Sequence, residues 1–335
     1  MDGITENGTP PLVAHPSRGT ILGEIHARPF AALATPQRLL HFAFMTDQAQ
    51  AAADREALAR FCAERGVPGP AEGAKHHRTR FGDTSLRWEQ HSEFTTYTWE
   101  LPSPGPVPFL PATTVLPHGM HALAQPGPHL AAIDLHLLPE RSAAELDTVF
   151  DPASLAASLV DGEAAIAATD FRAGADGFVR ILVLDRALTS ARAGALAQRL
   201  LEVETYRVLA LLGLPEAHRL APSVRRTEEV LVRIAGTMTQ TDGLDADNAL
   251  LDEMTAIAAT MESEAASSNY RFDASRAYDS IVGQRLEAID EAPYGGWPTI
   301  AAFLSRRMAP AMRTCQMLQQ RQLDLSRRLA RAANL

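Results

Sequence analysis

The sequence predicts an α+β protein: an N-terminal mixed or antiparallel sheet with helices, followed by an all-α helical bundle and a coiled-coil arm. Three observations carry this. Up to about residue 188, short apolar and aromatic runs alternate with Gly, Pro and Asp turn signals. From Ser190 onward apolar residues recur at helical spacing, and near the C-terminus they step alternately by four and three, the pattern of a heptad seam.

The elements follow in order. Residues 1–22 are polar and rich in Pro and Gly, and read as a mobile arm. The α+β domain spans 23–188. In it "RLLHFAFMT" is a buried strand, and residues 48–65 are an Ala-rich helix that turns Leu58, Phe61 and Cys62 inward. "KHHRTRF" and "TSLRWEQH" flank Gly82-Asp83 as a hairpin, and "EFTTYTWEL" reads as a continuation or bend of its second strand. Residues 102–128 hold too much Pro and Gly for regular structure. "HLAAIDLHLLP" is a strand, "SAAELDTVF" a short helix, and "EAAIAATDF" with "GFVRILVLD" a second hairpin. Residues 189–292 form the helical region, with helices from Ser190 to the break at Gly213 and Pro215, then over 222–241, 245–263 and 270–290. Residues 293–335 begin the arm. Its seam is Leu304, Met308, Ala311, Cys315, Leu318, Gln322, Leu325, Leu329 and Ala332, and Pro310, which lacks an amide proton, should start or kink that helix.

Composition narrows the function classes. A net charge of −9 argues against an electrostatic grip on nucleic acid. Lys75 is the only lysine and sits in "EGAKHHRTR", a setting unlike a P-loop, a kinase phosphate clamp or a Schiff-base site. Cys62 and Cys315 form no CxxC, so neither a disulfide framework nor a cysteine zinc site is indicated, and a reducing cytoplasm fits. No apolar run reaches the ~18 residues a membrane span requires.

The candidate site begins at "RWEQHSEFTTYTWE". Read as an extended strand, it puts Arg87, Glu89, His91, Glu93, Thr95 and Tyr97 on one polar face and Trp88 and Phe94 on the other. Such a row serves equally as a solvated outer face. Chemically, Glu89, His91 and Glu93 could bind a divalent metal or exchange protons, with Arg87 holding an anionic group and Tyr97 beside them. Further ligands would come from His26 and Arg28 in "HARP", where Pro29 stiffens the backbone, from His118 and His121, or from Asp134 and His136. His26, Arg28, Glu89 and His91 are expected to cluster. His76 and His77 read as surface residues. Tyr270, Arg271, Ala274, Ala277 and Tyr278 share one side of a helix and read as packing, and Glu204 with Arg207 as an ordinary helical pair. No dinucleotide fingerprint, GxSxG elbow or HExxH is present.

Several stretches together, "GEIHARPF", "LRWEQHSEFTTYTWE", "ETYRVLALLGLPEA", "YRFDASRAYDSIVGQRL" and "RRMAPAMRTCQ", resemble the bacterial family catalogued as domain of unknown function 3422, described as predicted membrane-anchored proteins. The resemblance runs from about Gly23 to Leu335 and brings no catalytic residue or activity. It implies a continuation past Leu335 into a membrane anchor, in keeping with a seam still running at Leu329 and Ala332, and a place on the cytoplasmic side of the inner membrane. The function expected is that of a membrane-tethered binding, sensory or scaffold protein that self-associates through its C-terminal helices. The alternative is a metal-dependent or acid–base enzyme using His26, Arg28, Glu89, His91 and Glu93.

Overall fold

The computed structural model describes residues 13–25, 30–103, 105–109, 120, 123–140, 145–238 and 244–332. A short helix, α1 (Arg18–Ile25), precedes the first strand, β1 (Gln37–Met45). The helix α2 (Gln48–Ala63) starts with a capping box: Gln50 N donates to Asp47 Oδ1 at 2.8 Å, and Asp47 N to Gln50 Oε1 at 2.9 Å. β2 (His76–Phe81) and β3 (Thr84–Gln90) make the expected hairpin, with Gly82 at φ +64° where side-chain-bearing residues are disfavoured. Then come β4 (Phe94–Pro102), β5 (His129–Pro139), the one-turn helix α3 (Leu146–Val149), β6 (Ala156–Val160), β7 (Ala165–Ala173) and β8 (Val179–Asp185). The helical half holds α4 (Ser190–Leu211), α5 (Gly213–Met238), α6 (Leu244–Ala288), the short strand β9 (Ala292–Pro293) and α7 (Ile300–Ala332).

The strands form one nine-stranded mixed sheet in the order β2-β3-β4-β1-β5-β8-β7-β6-β9. Its only parallel pair among the described residues is β5 with β8. The arrangement confirms the α+β class. Leu40, Phe42, Phe44, Leu86, Trp88, Tyr97 and Trp99 pack one face against Leu58, Phe61 and Cys62 of α2. On the opposite face Leu39, Ile133, Leu135 and Leu137 meet α4 and the first turns of α7. α4 lies close to the chain before β1: a Cβ at Gly194 would stand 1.7 Å from the carbonyl oxygen of Ala31.

Besides the helix expected over 222–241, which already starts at Gly213 and holds Pro222 inside it, two readings of the sequence need correction. The charged strand is not continuous. His91 N donates to Phe94 O at 2.8 Å and closes a turn, after which β4 runs back antiparallel to β3, pairing Gln90 with Thr95 and Trp88 with Tyr97. The turn shifts side-chain parity, so Arg87 and Glu89 share the α4 face with Phe94, Thr96 and Thr98, while Trp88, Thr95 and Tyr97 face α2. The second correction is that 245–263 and 270–290 are one unbroken helix, α6, of 45 residues. Its polar interior stretch "ESEAASSNY" resembles a boundary but supports a helix whose neighbours are α5 and α7. Pro310 lies inside α7. β6 escapes sequence reading because "AASLV" holds one β-branched residue, and its pairing with β7 supplies what propensity lacks.

α5, α6 and α7 pack on one another beyond the sheet. The predicted seam is buried within this chain: Leu304, Met308, Cys315, Leu318, Gln322, Leu325 and Leu329 are at most 5% exposed. Cys315, Leu318, Leu325 and Leu329 meet Ala217, Leu220 and Val224 of α5 and Met261 and Phe272 of α6.

Candidate functional site

The chemistry-bearing strand turn docks on the helices. Glu93, in the β3–β4 turn, receives Arg271 Nη1 at 3.0 Å and Arg271 Nη2, Tyr278 OH at 2.8 Å and Tyr270 OH at 3.4 Å, all from α6. Burial alone would raise the Glu93 carboxyl, but these hydrogen bonds and the Arg271 charge hold it below the usual range. Burial and the same carboxylate push the Tyr278 phenol well up. Beside the latch, the His91 and Phe94 rings stack at 4.1 Å, and Phe94 meets Tyr206 and Tyr278 edge-on. Thus the residues of "NYRFDASRAYDSI" do more than pack helix on helix: they hold the sheet.

Inward from the latch lies a cavity of 220 Å³ between β3, β4, α4 and α6. From the sheet it is walled by His41, Arg87, Glu89, His91, Phe94 and Thr96. From the helices Gln198, Glu202, Thr205, Tyr206 and Arg285 close it. A hydrogen-bonded chain spans the gap: Arg87 Nη1 donates to Gln198 Oε1 at 2.9 Å, Gln198 Nε2 to Glu202 Oε1 at 2.8 Å, and Arg285 Nε to Glu202 Oε2. His41 is fixed between Thr98 Oγ1 at 2.8 Å and Thr205 Oγ1 at 3.2 Å. Burial first, then the Arg87 and His91 charges, depress its pKa to about 3, so it is neutral at pH 7.

Among the described residues, Glu89, Arg87 and Thr96 keep unmet hydrogen-bonding capacity. Glu89 is 7% exposed, and its nearest ionic partner, Arg87 Nε, is 3.6 Å away, beyond hydrogen-bond distance. Arg87 Nε and Thr96 Oγ1 are buried without a hydrogen bond. His91 also borders a second, outer cavity of 520 Å³ with Lys75, Gln90 and Ser92, so the crevice opens past the latch.

Of the sequence candidates, then, Arg87, Glu89 and His91 line one cavity and Glu93 stands at its mouth. Tyr97 does not join them: it lies on the α2 face, donating to Asp54 Oδ1 at 2.6 Å beside Trp88 Nε1, which donates to Asp54 Oδ2 at 2.8 Å. Asp134 and His136 are also on that face, with Arg38 donating Nε to Asp134 Oδ1 at 2.9 Å and Nη2 to Oδ2 at 2.8 Å, and His136 Nε2 3.4 Å from Asp134 Oδ1. Burial opposes ionisation of Asp134, but His136 and Arg38 win and lower its pKa. His26, Arg28, His118 and His121 lie outside the described residues. Among the described residues no group of three or more His, Cys, Asp or Glu is placed to hold a metal ion. His77 Nε2 lies 2.9 Å from Pro68 O on the edge strand β2, and Glu204 with Arg207 is the expected helical pair.

Gln198, Glu202, Thr205, Arg285 and His41 were missed by sequence reading. A signal existed for three of them: Gln198, Glu202 and Thr205 step by four and three along a helix otherwise rich in Leu and Ala, a polar stripe on one face. A further cavity, 410 Å³, lies on the α2 face, floored by Phe42, Phe44, Tyr97, Trp99 and Phe178.

No curated protein and no solved structure matches the chain. One family model does, over residues 13–335, which takes in both walls of the crevice and the whole helical half. The chain therefore belongs to the family described as "Protein of unknown function (DUF3422)".

Proposed function

We propose that the chain is a binding module in which the crevice between sheet and helices takes a small polar molecule and α4 and α6 register its presence. The observation that carries this reading is the Glu89 carboxylate, set in a cavity wall without a hydrogen bond and flanked by the unpartnered Thr96 hydroxyl. A buried carboxylate left this way costs stability, and a ligand that donates to it relieves the cost. Glu202 is already occupied by Gln198 and Arg285, so the carboxylate left open is Glu89, with Arg87 Nε as an open donor beside it, and the fitting ligand presents an ammonium or hydroxyl group to that carboxylate. The Phe94 and Tyr206 rings suit an ammonium as well.

The test is a thermal-shift screen of the whole chain against ethanolamine, glycine, glycerol and inositol. At least one raises the melting midpoint, and Glu89→Gln removes that rise. A panel without effect, or a rise that survives both Glu89→Gln and Thr96→Val, contradicts the proposal.

Tethering of this module to a membrane, on the cytoplasmic side, is a further part of the reading and rests on the character ascribed to the family. Among the described residues no helix is long and apolar enough to cross a bilayer, so any attachment would come from elsewhere. Fractionation of cells carrying the full-length gene decides it: release by detergent but not by salt supports tethering, and recovery in the salt-washed soluble fraction refutes it.

A further inference from the structure

A groove of 690 Å³ runs along α6 and α7, between residues 279–291 and 301–316. Val282, Leu286, Leu304, Met308 and Met312 form its floor, and Gly283 leaves room, since a Cβ there would meet nothing within 4 Å. The rims carry charge that is not matched. Asp279 and Glu287 on α6 line the groove with no hydrogen bond or ion pair among the described residues, and Arg313 on α7 faces it in the same condition. Arg306, one heptad before Arg313 and exposed on the same side of α7, is unpaired as well. Burial beside the apolar floor raises the Asp279 pKa with no compensating cation.

The pairing levels of the two helices are fixed at both ends. Gln319 Nε2 donates to Asp273 Oδ1 at 3.3 Å, and the Ala301 N–H to Glu291 Oε1 at 3.0 Å. The helices therefore run antiparallel, with Asp279 level with Arg313 and Glu287 level with Arg306. A two-fold axis lying in the interface, parallel to the helices, keeps these levels and exchanges the helices. It sets Asp279 of one copy opposite Arg313 of the other, and Glu287 opposite Arg306, twice over.

We propose that this groove is the face through which two copies of the chain associate, α6 of each against α7 of the other. The acids sit on one helix and the bases on the other at matching levels, which is the arrangement an isologous interface requires and a lone chain leaves idle. The seam of α7 from Cys315 to Leu329 is not involved, because α5 and α6 of the same chain already cover it. Met317, 65% exposed one turn beyond Arg313, extends the apolar strip on the same helix.

Sedimentation equilibrium of the full chain at micromolar concentration tests this. A dimer is expected, weakening as salt rises because the facing charges are solvent-accessible. Arg313→Glu should weaken it about tenfold or more, with circular dichroism unchanged because Arg313 is exposed and unpaired. Adding Asp279→Arg to Arg313→Glu should restore it, since the pair is re-formed with reversed sign. A monomer at every concentration, a dimer indifferent to Arg313→Glu, or failure of the reversed pair to recover association would each overturn the proposal.

Discussion

His41 and Glu93 show how single side chains set the character of this protein. His41 is fully enclosed and neutral, its pKa lowered from 6.5 to about 3. A folded-state pKa below the unfolded one means that the stability it lends is complete above pH 6.5 and is lost as pH falls from there toward 3. At 1.36 kcal/mol per unit, the loss is on the order of 5 kcal/mol by the bottom of that window. Urea midpoints of the wild type should therefore fall from pH 6.5 downward, and those of His41→Gln should stay flat until the carboxylates Glu93 and Asp134 protonate. Equal slopes for the two proteins would show that the imidazole is not what titrates. At Glu93 the expectation concerns a pair. Glu93→Ala strands Arg271, whose side chain is 19% exposed, and should cost about 2–4 kcal/mol, whereas Glu93→Ala combined with Arg271→Met should cost less than the sum. A double-mutant cycle in urea reads the coupling, and additive losses would mean the latch carries none. Little of this was legible from residue type alone. "EFTTYTWE" reads as strand in either register, and only the turn at His91–Glu93 decides which residues face α4; its one turn-favouring residue, Ser92, is a weak mark beside Gly or Pro.

At the scale of elements the helices were the more readable half, because a period of 3.6 residues persists over many turns while strands here are short. The start of α4, with Thr189 Oγ1 accepting from Arg192 N at 3.3 Å, and the seam of α7 stand where spacing puts them. What spacing could not supply was the partner. Four-three steps bury a stripe equally well against a second subunit or against the chain's own helices, and here α5 and α6 cover it. Gln322 is the irregular member of the seam: 2% exposed, with neither its Nε2 nor its Oε1 hydrogen-bonded. Replacing it with Leu removes two unsatisfied groups from an apolar environment, so Gln322→Leu should stabilise by about 1–2 kcal/mol. Thermal and urea midpoints of the variant check this, and a decrease would show that the amide has a partner in solution. The junction of α4 and α5 is a tight point of the same kind. A Cβ at Gly213 would lie 2.6 Å from Ser275 Oγ and 3.2 Å from Cys315 Sγ, so Gly213→Ala should cost about 1–3 kcal/mol and loosen the contact of α5 with α6 and α7. An unchanged urea midpoint for Gly213→Ala would show that the helices shift to make room without loss.

For the whole molecule, the central claim is that sheet and helices share one polar crevice. The latch at Glu93, the Arg87–Gln198–Glu202–Arg285 chain and the aromatic contacts of Phe94 tie β3 and β4 to α4 and α6, so a ligand that fills the cavity is bound by both halves at once. The α2 face, with its aromatic cavity, is separated from it by the thickness of the sheet. Hydrogen–deuterium exchange of the whole chain with and without whichever of ethanolamine, glycine, glycerol and inositol raises its melting midpoint distinguishes them. The account predicts slower exchange in both Arg87–Thr96 and Gln198–Tyr206, with α2 unchanged. Protection confined to α2 and the Phe42–Phe44 strand, or no protection in either wall of the crevice, would contradict it.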